Sequence, residues 1–239
     1  VIPSEHFNTL LYTGNGSSTH AITNVGFTPD WVWAKQRNTT RSHRLLDSVR
    51  GAGVYLASDN TNAESSASGL FKTFDSDGFT LDAANALNQS GGTYVAWNWK
   101  AGGSASSNPS AGFSIVSYTG TSAASATIGH SLSQKPELIM VKKRDEVGNW
   151  IVFTETTGKD NKLNLNETTA SATSALFNNV APTSTVFSVK DTSTDDTFGV
   201  GHTYIAYAFH SVDGHSKVGS FVGTGGSYGV VDGAFINLG

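Results

Sequence analysis

The chain has no cysteine, five prolines and one methionine in 239 residues. Without cysteine there are no disulfides, no zinc–thiolate site and no thiol nucleophile, and the redox compartment stays open. So few prolines and methionines argue against a collagen-like chain or a helical bundle. Charged residues make up 14%, against roughly 25% in ordinary globular chains. The formal charge is -4 with acids and bases scattered, so there is no basic footprint for nucleic acid. No apolar run approaches the ~18 residues of a membrane-spanning helix. The P-loop, H-E-x-x-H and dinucleotide fingerprints are all missing. Val1-Ile2-Pro3-Ser4 has neither an initiator methionine nor a signal-peptide pattern and reads as a trimmed start.

Polarity comes instead from Ser, Thr, Asn and 26 Gly, and the chain repeats itself. Tyr12-Thr13-Gly14 returns as Tyr118-Thr119-Gly120, and Pro29-Asp30-Trp31-Val32-Trp33-Ala34-Lys35 as Pro136-Glu137-Leu138-Ile139-Met140-Val141-Lys142. Ser68 to Phe71 returns as Ser174 to Phe177, Phe79 to Leu81 as Phe187 to Val189, and Thr93 to Trp97 as Thr203 to Tyr207. Segments in one order at a nearly constant spacing predict tandem units of about 105 residues. Ala234, Asn237 and Gly239 align with Ala21, Asn24 and Gly26, so a third copy begins and the parent polypeptide is expected to be longer.

The matched segments read as strands. Thr203 to His210 alternates, with Ile205, Tyr207 and Phe209 on one face. Trp31 to Ala34 and Leu138 to Val141 are apolar on both parities, as in a strand covered on both faces. Asn15-Gly16, Asp77-Gly78 and Asp213-Gly214 are turn dipeptides. No sustained 3.6-residue period occurs. The expected fold is all-β: tandem β-sandwich or jelly-roll-like units at 1–103 and 112–212, a Gly/Ser linker at 104–111 and the start of a third unit at 213–239. Trp97 and Trp99 are expected to be buried core like Tyr207 and Phe209. Strands are expected at Lys217 to Phe221 and at Gly233 to Leu238, with Phe221 and Phe235 covered.

Chemistry-bearing groups are sparse. Ser42, His43 and Asp47 supply triad residue types, but in no recognisable motif. His210 and His215 flank a turn rather than forming a metal spacing. Asp75-Ser76-Asp77-Gly78 opens like a calcium loop, yet Ala86 stands at the twelfth position, where a calcium loop needs an acid. We therefore expect no catalytic residue, metal or cofactor. Candidate binding residues lie in the turns, where a repeat scaffold varies: Arg37, Arg41, His43, Asp59, Asn60, Arg144 and Trp150, the last also a candidate anchor at the base of its loop.

Over Tyr12 to Gly16, Val25 to Lys35, Tyr94 to Gly103, Pro182 to Phe187, Tyr204 to Phe209 and Asp213 to Lys217, the chain resembles a repeat of large virion proteins of marine tailed bacteriophages. The resemblance covers nearly the whole chain. It implies a tail-fibre-like structural or adhesive role on the surface of an extracellular particle. The implied partners are copies of itself, other virion proteins or a host-surface glycan, with no nucleic acid and no membrane insertion. A carbohydrate-binding or depolymerase module and a secreted adhesin are the alternatives. A depolymerase needs paired carboxylates, and Glu64, Asp75 and Asp82 have no acidic counterparts in the second unit.

Overall fold

The structure, a computed structural model, describes residues 1–102, 106–191 and 197–222. After a short 3-10 turn at Pro3–Glu5, the first half contains β1 (Phe7–Thr13), β2 (His20–Ile22), β3 (Trp31–Gln36), β4 (Arg44–Asp47), β5 (Val54–Tyr55), β6 (Ser65–Ser66), β7 (Phe71–Asp75), β8 (Gly78–Leu81), the one-turn helix α1 (Asn85–Asn88) and β9 (Thr93–Trp99). The second contains β10 (Ser107–Asn108), β11 (Phe113–Thr119), β12 (Ser125–Gly129), β13 (Leu138–Lys143), β14 (Ile151–Thr154), β15 (Asn161–Asn164), β16 (Ala172–Thr173), β17 (Val186–Lys190) and β18 (Thr203–Phe209). The fold is all-β with antiparallel pairing in every sheet.

One large sheet runs β1-β9-β3-β4, and the other runs β10-β11-β18-β13-β14-β15-β16. Small sheets β2-β8-β7 and β12-β17 lie beside them. Register sets which residues share a face. Trp33 stands opposite Trp97 and Leu45; Met140 stands opposite Tyr207 and Val152. The two parities of β3 and β13 are both apolar because each large sheet packs a small sheet on one face and the other large sheet over part of its opposite face. Inward of the first sheet, Val32, Ala34, Leu46 and Ala96 pack on Ile22, Phe79 and Leu81 of the small sheet. Ile139, Val141, Ile151 and Ala206 pack likewise on Phe187 and Val189.

The Tyr-Thr-Gly motif has a packing reason. Tyr12 stacks on Tyr94 at 4.9 Å and Tyr118 on Tyr204 at 5.1 Å. Their hydroxyls donate to Leu87 O and Thr197 O. The glycine that follows is pressed against backbone: a Cβ at Gly14 would lie 2.3 Å from Gln89 O, and one at Gly120 1.9 Å from Gly199 O.

A third core cluster joins the halves. Trp31, Leu45 and Leu56 pack against Phe113, Ile115, Met140, Trp150, Ile205 and Tyr207. The two large sheets thus share an apolar layer, where the sequence suggested two separately closed units. This layer corrects one expectation. Trp99 and its counterpart Phe209 are both half-buried at the margin of the layer, whereas Trp97 is half-buried beyond it and its counterpart Tyr207 is fully buried, because the second sheet covers one end of the first sheet's face. The expected strand at Lys217 to Phe221 is irregular, and Phe221 is 67% exposed. Gly233 to Leu238, including Phe235, lies outside the described residues. In the expected linker, Ser107–Asn108 pairs with β11, and buried Asn108 donates to Lys100 O at 3.0 Å.

Gly120→Ala and Gly14→Ala should each cost about 1–3 kcal/mol through overpacking, read as a lower melting temperature. Calorimetry should show one cooperative transition, because neither half can open without exposing the shared layer. Two resolved transitions would contradict that coupling.

Candidate functional site

Two features stand out where the large sheets meet: a buried polar junction and an open aromatic groove beside it. The junction begins with Asp47 at the end of β4, its side chain fully buried. Its carboxylate accepts from the Arg50 backbone N–H at 2.9 Å, from Arg50 Nε at 2.5 Å and from the Tyr207 hydroxyl at 2.7 Å. Arg50, also fully buried at its side chain, donates to Leu45 O at 2.9 Å and to Glu64 at 3.2 Å. Glu64 in turn takes a two-pronged bond from Arg144, 3.0 Å on each prong. Backbone bonds from Glu64 N to Arg144 O at 2.6 Å and from Gly148 N to Thr61 O at 2.9 Å run alongside. Burial disfavours the Arg50 charge, but Tyr207, Asp47 and Glu64 outweigh it and its pKa is raised. Burial pushes the Tyr207 phenol well above its ordinary value, so it stays a neutral donor to Asp47. A buried ion pair is tolerable when its remaining donors and acceptors are satisfied, and here they are shared between the halves.

The groove is a shallow cavity of about 370 Å³ lined by Trp33, His43, Trp97 and Trp99. β3 and β9 supply the indoles through their cross-strand register, and His43 directly precedes β4. Trp33 and Trp97 meet edge to face at 6.3 Å. The Trp33 indole N–H donates to His43 Nδ1 at 2.8 Å, which places the imidazole proton on Nε2. Burial lowers the His43 pKa; Asp59 opposes that shift and Lys35 adds to it. The site is therefore apolar and ringed by aromatics, with one neutral imidazole as its polar edge.

Of the seven turn residues selected from the sequence, only His43 lines the groove. Arg37, Arg41 and Asp59 are exposed and Asn60 is half-buried. Arg144 is held by Glu64. Trp150 is fully buried, its indole N–H donating to Ala57 O at 2.8 Å; it anchors the junction and is not open to a ligand. Sequence reading assigned Trp33 and Trp97 to the core because their counterparts in the second half, Met140 and Tyr207, keep the same apolar face. It passed over Arg50 and Glu64, whose importance depends on where the second half lies.

The triad residue types do not form a triad: His43 bonds Trp33, and Asp47 bonds Arg50 and Tyr207. Asp77 caps a turn, accepting from Gly26 N at 2.7 Å and Asn24 N at 3.0 Å, and these bonds, Asn24's foremost, lower its pKa. His210 sits between Ser211 O and Pro109 O. Among the described residues no three His, Asp or Glu side chains gather as metal ligands, and no helix is long and apolar enough to cross a membrane.

The chain belongs to a family described as a domain of unknown function, DUF7483, which matches residues 2–239 and so spans both halves. No curated protein and no solved structure matches it.

Arg50→Ala should cost about 3–5 kcal/mol, since it leaves Asp47 buried and unpaired; chemical denaturation measures this. A loss below about 1 kcal/mol would mean the junction does not hold the sheets. A second expectation concerns acid. Burial is the first cause of the lowered pKa values of His6, His43, His130 and His215, all below the ordinary 6.5. On acidification the unfolded chain takes up these protons first. Stability from these groups is thus full above pH ~6.5 and is lost as the pH falls through the lower folded values. Thermal melts against pH should show this fall, and His43→Gln should flatten part of it.

Proposed function

We propose that this chain is a non-catalytic structural and attachment component of a tailed-phage virion, of the tail-fibre kind, built from tandem copies of one β-unit. The observation that carries the reading is the junction: two halves locked by Asp47, Arg50, Tyr207, Glu64 and Arg144 make a stiff strut rather than beads on a flexible string. Several parallels between the halves support the tandem part. Strand order β1-β9-β3-β4 recurs as β11-β18-β13-β14. Lys35 donates to Gln36 O and Thr39 O, as Lys142 does to Lys143 O and Glu146 O. The paired tyrosines and crowded glycines recur as well. The exposed turns around Arg37, Arg41 and Asp59 are then the surfaces presented outward, on an extracellular particle. Self-copies, other virion proteins or a host glycan are the proposed partners, with no cofactor.

A carbohydrate-binding module is the second reading. One observation favours it: three indoles on one open face can stack on a sugar ring.

Antibodies raised against this chain should label the appendages of intact particles in electron microscopy. Purified particles without label, while the protein is abundant in infected cells, would overturn the virion assignment.

A further inference from the structure

We infer that the first sheet's open face, carrying Trp33, Trp97, His43 and Arg37, is a docking surface for a second copy of this chain, joined head to tail. The inference rests on the reading of the halves as copies of one unit. On that reading, each of these residues has a counterpart in the second half that is already an interface residue.

Trp33 and Trp97 hold the register positions of Met140 and Tyr207. His43 directly precedes β4 as Trp150 directly precedes β14. Arg37 follows β3 and donates its backbone N–H to Thr93 O at 2.7 Å; Arg144 follows β13 and donates to Thr203 O at 2.8 Å. In the second half all four are engaged. Met140 is 6% exposed and Tyr207 and Trp150 are fully buried under the first half, while Arg144 grips Glu64. In the first half the three rings are half-buried and Arg37 is exposed. The same face continues into Leu11, which is 64% exposed.

The occupant must bring apolar side chains for the indoles and a carboxylate for Arg37. The turn after β15 of the second half offers both outward, in Leu165 and Glu167. Arg37 and Arg41 on the receiving side are exposed cations, so the charges complement one another. A sugar fits less well. Small-molecule sites orient their ligand with several placed polar groups. Here the Trp33 N–H is already bonded to His43, leaving the imidazole Nε2 as the polar edge. A contact between two different surfaces of one chain propagates as a filament unless its rotation closes a ring.

Sedimentation velocity over a concentration series tests this. The wild-type chain should form dimers and longer species, and Arg37→Glu, at an exposed position, should weaken association at least tenfold with an unchanged melting temperature. Trp97→Ala should weaken association likewise, and mixing Arg37→Glu with Glu167→Lys should restore a heterodimer. A wild-type chain that stays monomeric up to about 1 mM, the edge of measurable affinity, overturns the proposal. So does a monomer whose tryptophan fluorescence responds to simple methyl glycosides, which makes the groove a sugar platform. Glu64→Gln separates the two claims. It should lower the melting temperature without changing association, and no thermal effect would count against the internal junction and not against the docking face.

Discussion

Asp47 has to be neutralised where it stands. It sits on a sheet face among indoles and aliphatic side chains, with no access to water, and an isolated carboxylate there would be strongly destabilising. Arg50, three residues on, supplies the opposite charge, but its guanidinium has more donors than Asp47 can accept. Leu45 O and Glu64 take the others, Tyr207 completes Asp47 from the far half, and Arg144 completes Glu64. Arg50 finds most of its partners within the first half, but Asp47 and Glu64 are completed only when both halves are in place. The relative position of the two large sheets follows from this chain of obligations more than from the apolar layer around it, since apolar burial is non-directional.

The offset between the sheets then decides what remains open. To bring Tyr207 to Asp47 and Trp150 to Ala57, the second sheet sits over Trp31 and Leu45 and leaves Trp33 and Trp97 uncovered. The segment around Val49 and Leu56 extends the first half over the second, so the second sheet's face is closed while the first sheet's is half open. That asymmetry turns one aromatic face into both a core and a surface.

Much of this was legible in the residues. The alternation in Thr93 to Trp99 and Thr203 to Phe209, the doubly apolar β3 and β13 and the turn dipeptides report local periodicity, which the backbone obeys directly. The Tyr-Thr-Gly motif was visible too, although its reason, a glycine pressed against a carbonyl, was not. The tail at Lys217 to Phe221 failed as a strand for lack of what a strand needs. Its pattern matched, but among the described residues no strand pairs with it, and pairing stabilises extended structure more than pattern does.

By itself, the order of amino acids determined the all-β character, the strand positions and the faces on which the aromatics fall, because each depends on neighbours within a few residues. Only the tertiary structure decided which of those faces is interior. Trp31 and Trp33 are two residues apart on one strand and share one face, yet the first is fully buried and the second lines a groove. The roles of Glu64 and Arg144 were likewise set by a contact between residues far apart in the chain. Sequence spacing carries no record of how two sheets slide over one another. That offset is set by buried charges finding their partners, and only the folded chain brings those partners together.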